Sequence, residues 1–184
     1  MSAKIIDGKK ISESLRLSIA ETAKNRKEGT RAPGLAVIIV GDNPASRVYV
    51  NNKKKACEIC GFYSVEYALN ENTEEKELLE LIEKLNNDEN IDGILCQLPL
   101  PKQIDESKVI DAICPEKDVD GFSPVNTGNL LTGKPCFAPC TPAGVVEMLR
   151  HEGIEIAGKH CVIVGRSNIV GKPAALLMLQ ENAT

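Results

Sequence analysis

The sequence predicts an α/β protein, with an N-terminal domain built on a mostly parallel sheet and the start of a second α/β domain behind it. Three observations predict it. Helix-like and strand-like segments alternate from residue 7 to residue 113. Their connections are short. The run from Leu35 to Val40 is continuously apolar and rich in β-branched residues, the pattern of a strand buried on both faces.

The elements follow in order. Ile11, Leu15 and Ile19 recur every four residues after Asp7, which predicts an amphipathic first helix before the Gly29 region. After the Leu35–Val40 strand comes the turn Gly41-Asp42-Asn43-Pro44. Asn43 can cap a helix with Pro44 in its first turn, and Gly61 can end it in a left-handed conformation, so Pro44 to Cys60 reads as helical. Phe62 to Leu69 alternates as a strand, and Asn72 with Glu75 suggests a capping box ahead of a helix carrying Leu78, Leu79, Ile82 and Leu85. Gly93 to Leu98 is the third strand, broken by Leu98-Pro99-Leu100-Pro101, and Asp105 to Ile113 reads as a short helix.

From Cys114 to Pro139 proline and glycine are frequent and periodicity is weak, which predicts a long irregular connection. Thr141 and Pro142 open a helix to Arg150 that Gly153 closes. His160 to Val164 reads as a strand entering Gly165-Arg166-Ser167, and Val170 to Leu179 as a helix. The division expected is 1–138 for the first domain and 139–184 for the opening of the second.

Bulk properties exclude several classes. Lys and Arg total 22 against 26 Asp and Glu, a net charge of −4, which lacks the positive excess that phosphate backbones demand, so no nucleic-acid partner is expected. The first ten residues hold only the apolar pair Ile5 and Ile6, too little for a signal-peptide core, and no stretch reaches membrane-spanning length. A cytoplasmic protein with no membrane partner is expected. Seven scattered cysteines suit reduced thiols. Cys57-x-x-Cys60 has no matching pair at zinc-ligand spacing and the chain has only two histidines, so no metal is expected.

Four constellations can carry chemistry. Tyr49 and Lys53 are four apart on the second helix and leave one face, so a ring and an amine can line one pocket. Partial desolvation beside Arg47 and Lys54 would make the lysine a usable base. The ordinary reading of the same spacing is a packed tyrosine and a surface lysine. Gln97 lies where the third strand ends, and its amide can project into the crevice at the sheet's C-terminal edge or simply bond the loop. Asp118 and Asp120, in Pro-Glu-Lys-Asp-Val-Asp-Gly, can accept from a donor-bearing ring or stand in a solvated turn. Finally, Gly165-Arg166-Ser167-Asn168-Ile169-Val170-Gly171 sits between a predicted strand and a helix, where backbone amides and a helix N-terminus can hold a phosphate, although it departs from Gly-x-Gly-x-x-Gly. Short-chain dehydrogenases also use Tyr-x-x-x-Lys, but after their glycine-rich loop rather than before it.

Taken together, Tyr-Val-Asn-Asn-Lys (49–53), Gln-Leu-Pro-Leu-Pro (97–101), Pro-Glu-Lys-Asp-Val-Asp-Gly (115–121), Pro-Cys-Thr-Pro-x-Gly (139–144) and Gly-Arg-Ser-x-Ile-Val-Gly-x-Pro (165–173) resemble the bifunctional methylenetetrahydrofolate dehydrogenase/cyclohydrolase family. The opening Ile-Ile-Asp-Gly-Lys also resembles that family's start. The resemblance implies a folate-binding catalytic domain followed by a Rossmann-type NADP-binding domain, truncated here because family members continue past Thr184.

It implies an enzyme of one-carbon metabolism, serving purine and amino-acid biosynthesis. A tetrahydrofolate derivative is the substrate, oxidised with NADP, the choice between NADP and NAD staying open, and then hydrolysed. Lys53 would be the central catalytic residue, Gln97 its partner, and Tyr49 a platform for the folate ring. Ser46, Asp120 and Pro99 would line the substrate site, while Gly165, Arg166, Ser167 and Gly171 would bind the cofactor. The longer family members form homodimers through the nucleotide domain. Two other readings stay open: an inactive folate-binding fragment, and a dehydrogenase that has lost the hydrolytic step.

Overall fold

A computed structural model describes residues 3–184. The element order is α1 (Gly8–Lys24), β1 (Gly34–Val40), α2 (Pro44–Cys60), β2 (Tyr63–Leu69), α3 (Glu75–Asn86), β3 (Gly93–Cys96), α4 (Glu106–Ala112), α5 (Pro124–Thr132), α6 (Cys140–His151) and α7 (Gly171–Gln180). The chain divides into two compact units, Leu15–Val119 and the remainder, which joins the stretch up to Ser14 to Asp120–Thr184.

In the first unit, three parallel strands lie in the order β2-β1-β3. The central strand β1 is enclosed because alternate residues face opposite layers. Ala36, Ile38 and Val40 meet Leu78, Ile82 and Leu85 of α3, Val109 of α4 and Ile94 and Cys96 of β3. Val37 and Ile39 meet Val50 of α2 and Leu95. This is the two-sided burial that a continuous apolar run requires, and each fully buried aliphatic side chain contributes about 1.5–3 kcal/mol. In the second unit, Val146 of α6, Met178 of α7, Ile156 and Ala183 form a smaller core.

Several local expectations are corrected. There is no Asn72–Glu75 capping box. Glu74 occupies the cap of α3 without a side-chain bond, while the Glu75 carboxylate accepts from the Asp105 N–H at 2.9 Å and from Lys108 Nζ at 2.6 Å. Those tertiary donors win over the local one. β3 stops at Cys96 rather than Leu98, although the Gln97 N–H extends the ladder by one bond to the Ile38 carbonyl at 2.8 Å. The Cys114–Pro139 connection contains α5, which Ser123 caps by accepting from the Asn126 N–H at 3.2 Å, with Pro124 in the first turn and Gly133 at the left-handed end. Residues 160–164 form no strand: the Cys161 N–H donates to the Thr184 carbonyl at 2.8 Å, but no ladder continues from that bond among the described residues, and Val162 and Val164 stand 76% and 98% exposed.

The first strand is anchored at its start by charge. Arg31 donates to both carboxylate oxygens of Asp92, at 2.6 and 2.8 Å, and the Gly34 N–H donates to Asp92 Oδ2 at 2.7 Å. The Arg31 guanidinium, aided by that backbone N–H, holds the Asp92 carboxyl below its ordinary range. A carboxyl depressed by folding contributes stability above its unfolded value of about 3.9, and the contribution disappears as pH falls through the lower folded value. Asp92→Asn is therefore expected to cost about 0.5–1 kcal/mol near neutral pH, after allowing for solvent screening of this exposed pair, and to cost less in strong acid, where the carboxyl is protonated. Urea unfolding midpoints measured under both conditions check it.

Candidate active site

The best-built site lies on α2 and the end of β3. α2 begins where Asn43 Oδ1 accepts from the Ala45 and Ser46 N–H groups, at 2.9 and 3.3 Å, with Pro44 at the first helical position. It ends at Gly61 (φ 71°), where the Phe62 N–H returns to the Cys57 carbonyl at 2.9 Å. With both ends fixed, the helix phase is set. Ser46, Tyr49 and Lys53, spaced three and four apart, come out along one side. Ser46 is buried (6% exposed), Lys53 is half-buried and Tyr49 is 62% exposed, offering its ring to solvent.

Lys53 Nζ donates to Gln97 Oε1 at 3.0 Å, and Gln97 Nε2 donates to the Leu98 carbonyl at 2.8 Å. The second bond decides the first. With the NH₂ end committed to a carbonyl, the carbonyl end must face the amine, and it can accept from Nζ whether the amine is neutral or charged. Gln97 can therefore hold the amine in either protonation state. Pro99 follows two residues later, exposed, behind a cis Leu98–Pro99 bond.

Arg47 has a different task from the one its sequence position suggests. Its guanidinium pairs with Glu66 at 2.5 Å and with Asp42 at 3.7 Å, so its charge ties the first turn of α2 to β2. Lys54 is exposed. Cys57 and Cys60 are both buried in the last turns of α2. Burial pushes the Cys57 thiol up, and Cys60 Sγ donates to the Arg16 carbonyl at 3.6 Å.

The acidic turn is only partly solvated. Asp118 is buried (3% exposed) and pairs with Ile94 as an isolated parallel bridge, and Asp120 is half-buried. Lys117 fastens this turn by donating to the Leu85 and Asp88 carbonyls at 3.0 and 2.8 Å, which satisfies the end of α3. Neither this strut nor the Arg47–Glu66 pair carries a local sequence signal, because the partners lie 19 to 32 residues apart.

Within the second unit, the turn from 165 to 171 leads directly into α7. Ser167 Oγ accepts from the Val170 and Gly171 N–H groups, both at 3.1 Å, which satisfies the first N–H of α7 and leaves the hydroxyl proton to donate outward. Gly171 is required by close approach. A Cβ there would stand 2.6 Å from the Gly165 carbonyl carbon and 2.7 Å from the Arg166 nitrogen. Gly165, Arg166 and Ser167 are exposed in front of the helix N-terminus, an arrangement of amides, hydroxyl and guanidinium that fits a phosphate-bearing nucleotide.

The chain matches known proteins along its whole length. Residues 6–120 match the family described as tetrahydrofolate dehydrogenase/cyclohydrolase, catalytic domain, and residues 139–184 match its NAD(P)-binding domain. The chain is 59% identical over 184 residues to the bifunctional protein FolD of Acetivibrio thermocellus, covering all of this chain and 65% of that protein. Among solved structures, the bifunctional FolD enzyme of Campylobacter jejuni superposes with a TM-score of 0.96 at 46% identity, over all of this chain and 65% of the other. The Trypanosoma brucei methylenetetrahydrofolate dehydrogenase-cyclohydrolase, complexed with NADP cofactor and inhibitor, gives 0.93 at 38% identity, over all of this chain and 64% of that one. The chain thus spans about two thirds of the length of these relatives. With a catalytic-domain match carrying the Lys53–Gln97 pair and a nucleotide-domain match carrying the Ser167 turn, the chain belongs to the tetrahydrofolate dehydrogenase/cyclohydrolase family.

Proposed function

We propose that this chain carries the folate chemistry of a methylenetetrahydrofolate dehydrogenase/cyclohydrolase. The reaction oxidises 5,10-methylenetetrahydrofolate to the methenyl form and hydrolyses that to 10-formyltetrahydrofolate. The observation that carries the reading is the oriented Lys53–Gln97 pair on the unit matched by the catalytic-domain family. The proposed division is 1–138 for folate binding and catalysis and 139–184 for the opening of the nucleotide domain.

In this reading Tyr49 stacks on the folate ring system, Ser46 and Pro99 line the substrate side of α2 and β3, and the Asp120 carboxylate accepts from the pterin's N–H donors. Gly165, Arg166, Ser167 and Gly171 hold the phosphates of NADP, which supplies the hydride acceptor when bound. Lys53 Nζ holds the position from which a proton can be taken from the water that adds at the electrophilic methenyl carbon, and Gln97 Oε1 keeps it aimed there. The proposed setting is the cytoplasm, in one-carbon metabolism supplying purine and amino-acid biosynthesis, with homodimers formed by longer family members through the nucleotide domain. No helix among the described residues is long and apolar enough to cross a membrane.

Titration with a folate analogue, with and without NADP, followed by a turnover assay on the natural substrate, tests the reading. Turnover that requires NADP supports it. Folate binding with no turnover supports the inactive-fragment reading, and methenyl product that never decays supports a dehydrogenase alone.

The nucleotide turn makes its own prediction. Gly171→Ala places a methyl against the Gly165 and Arg166 backbone, and overpacking of this order costs about 1–3 kcal/mol. NADP affinity is expected to fall about tenfold or more, while binding of a folate analogue by itself is unchanged. Isothermal titration with each ligand alone checks both halves.

A further inference from the structure

The segment after Gln97 leaves the sheet. From Leu98 to Gln103 no strand partner holds it, yet the orientation of the Gln97 amide depends on where the Leu98 carbonyl sits, because Nε2 donates to it at 2.8 Å. Something must fix this loop. Leu100 packs against the main core, and its N–H donates to Glu106 Oε1 at 3.2 Å. Ile104 is buried.

Beyond the Ile104 N–H bond to the Pro101 carbonyl at 3.0 Å and the Asp105 N–H bond to Glu75 Oε2 at 2.9 Å, a further fastening is Gln103, whose Nε2 donates to two backbone carbonyls of the turn after β2, Glu71 at 2.6 Å and Thr73 at 3.2 Å. That turn in turn meets the start of the catalytic helix. The Gly41 N–H donates to the Leu69 carbonyl at 2.9 Å, and a Cβ on Gly41 would touch Glu71 at 3.7 Å. Gln103 thus bolts the loop after β3 to the turn after β2, which abuts the turn that launches α2.

We infer that Gln103 is a positioning residue for the reaction, acting through the Leu98 carbonyl and the Gln97 amide on Lys53. The inference rests on the reading of Lys53 and Gln97 given above. Gln103 is exposed to solvent on its outer side and would pass for a surface residue by type. Its double donation from one amide nitrogen to two carbonyls uses both N–H bonds, so loss of the side chain leaves two acceptors to water and the loop without its outer tie.

The test reads the lysine directly. Gln97 Oε1 pins Nζ in place without using its lone pair, so the amine swings out to meet an amine-reactive acylating reagent more readily once that bond is lost, and one such bond corresponds to about tenfold in rate. Labelling of each lysine on the 184-residue chain is followed by peptide mass spectrometry, with Lys55 as internal control and the thermal midpoint recorded for each variant. Gln97→Ala sets the full effect. Gln103→Ala is expected to raise Lys53 labelling about three- to tenfold relative to Lys55. Gln103→Lys, which keeps donors facing the two carbonyls, is expected to restore the wild-type ratio. If Gln97→Ala speeds Lys53 and Gln103→Ala lowers only the thermal midpoint, Gln103 is structural and the inference is overturned while the site reading stands. If Gln97→Ala leaves Lys53 unmoved, the pair itself is uncoupled and both fail.

Discussion

Lys53→Met is expected to lower turnover by about 10²- to 10⁴-fold, the range that a positioned acid or base supplies. Methionine keeps most of the length and apolar stem of the lysine but none of its protons, so packing along α2 changes little while the Nζ that meets Gln97 Oε1 is removed. Folate binding is expected to persist, because the proposed platform, Tyr49, and the cap at Asn43 are untouched. A fall in kcat with a nearly constant KM is the signature of an interaction used in the transition state. Steady-state kinetics of the variant beside wild type check it.

The largest expected effect on stability is at the other end of β1. A Cβ on Gly34 would stand 1.9 Å from the Asn90 carbonyl oxygen and 3.0 Å from its carbon, both backbone atoms that cannot swing aside. Gly34 also exchanges two bonds with Asp92, donating to its carboxylate at 2.7 Å and accepting from its N–H at 2.8 Å, and any shift that relieves the clash strains both. Gly34→Ala is expected to destabilise by about 3 kcal/mol or more, at the upper end of overpacking effects, and to lower the melting temperature by roughly 6–12 °C. Gly128→Ala is the contrast. That glycine lies within α5 with nothing within 4 Å of an added methyl, so alanine is expected to be neutral or to stabilise by about 0.5–1 kcal/mol. Calorimetry of the two variants separates a steric requirement from a mere helix weakness.

How far such features can be read from the chain depends on their range. The limits of α2 are legible to the residue because Asn43, Pro44 and Gly61 each impose a local geometry that needs no distant partner. The Lys53 and Gln97 positions are legible as candidates, since a helix periodicity and a strand end place them, but the bond between them joins residues 44 apart and only the folded sheet brings it about. The same holds for Arg47 with Glu66 and for Gln103 with Glu71 and Thr73. α5 is a different kind of omission. Its Ser-Pro start and Gly stop are present, but Asn126, Thr127, Gly128 and Asn129 leave no apolar stripe to reveal it. For residues 160–164 the apolar pattern is real, yet a strand also needs a neighbour for successive N–H and C=O groups, and among the described residues the backbone pairing goes no further than the Cys161 N–H, which donates to the Thr184 carbonyl at 2.8 Å.

The most direct test of the central claim follows methenyltetrahydrofolate absorbance over time, with NADP and methylenetetrahydrofolate, in the wild-type chain and in Lys53→Met. A rise and decay in the wild type, with both phases lost in a variant that still binds the folate analogue, is the predicted result. An undiminished rise and decay in Lys53→Met would contradict the assignment of the chemistry to the Lys53–Gln97 pair.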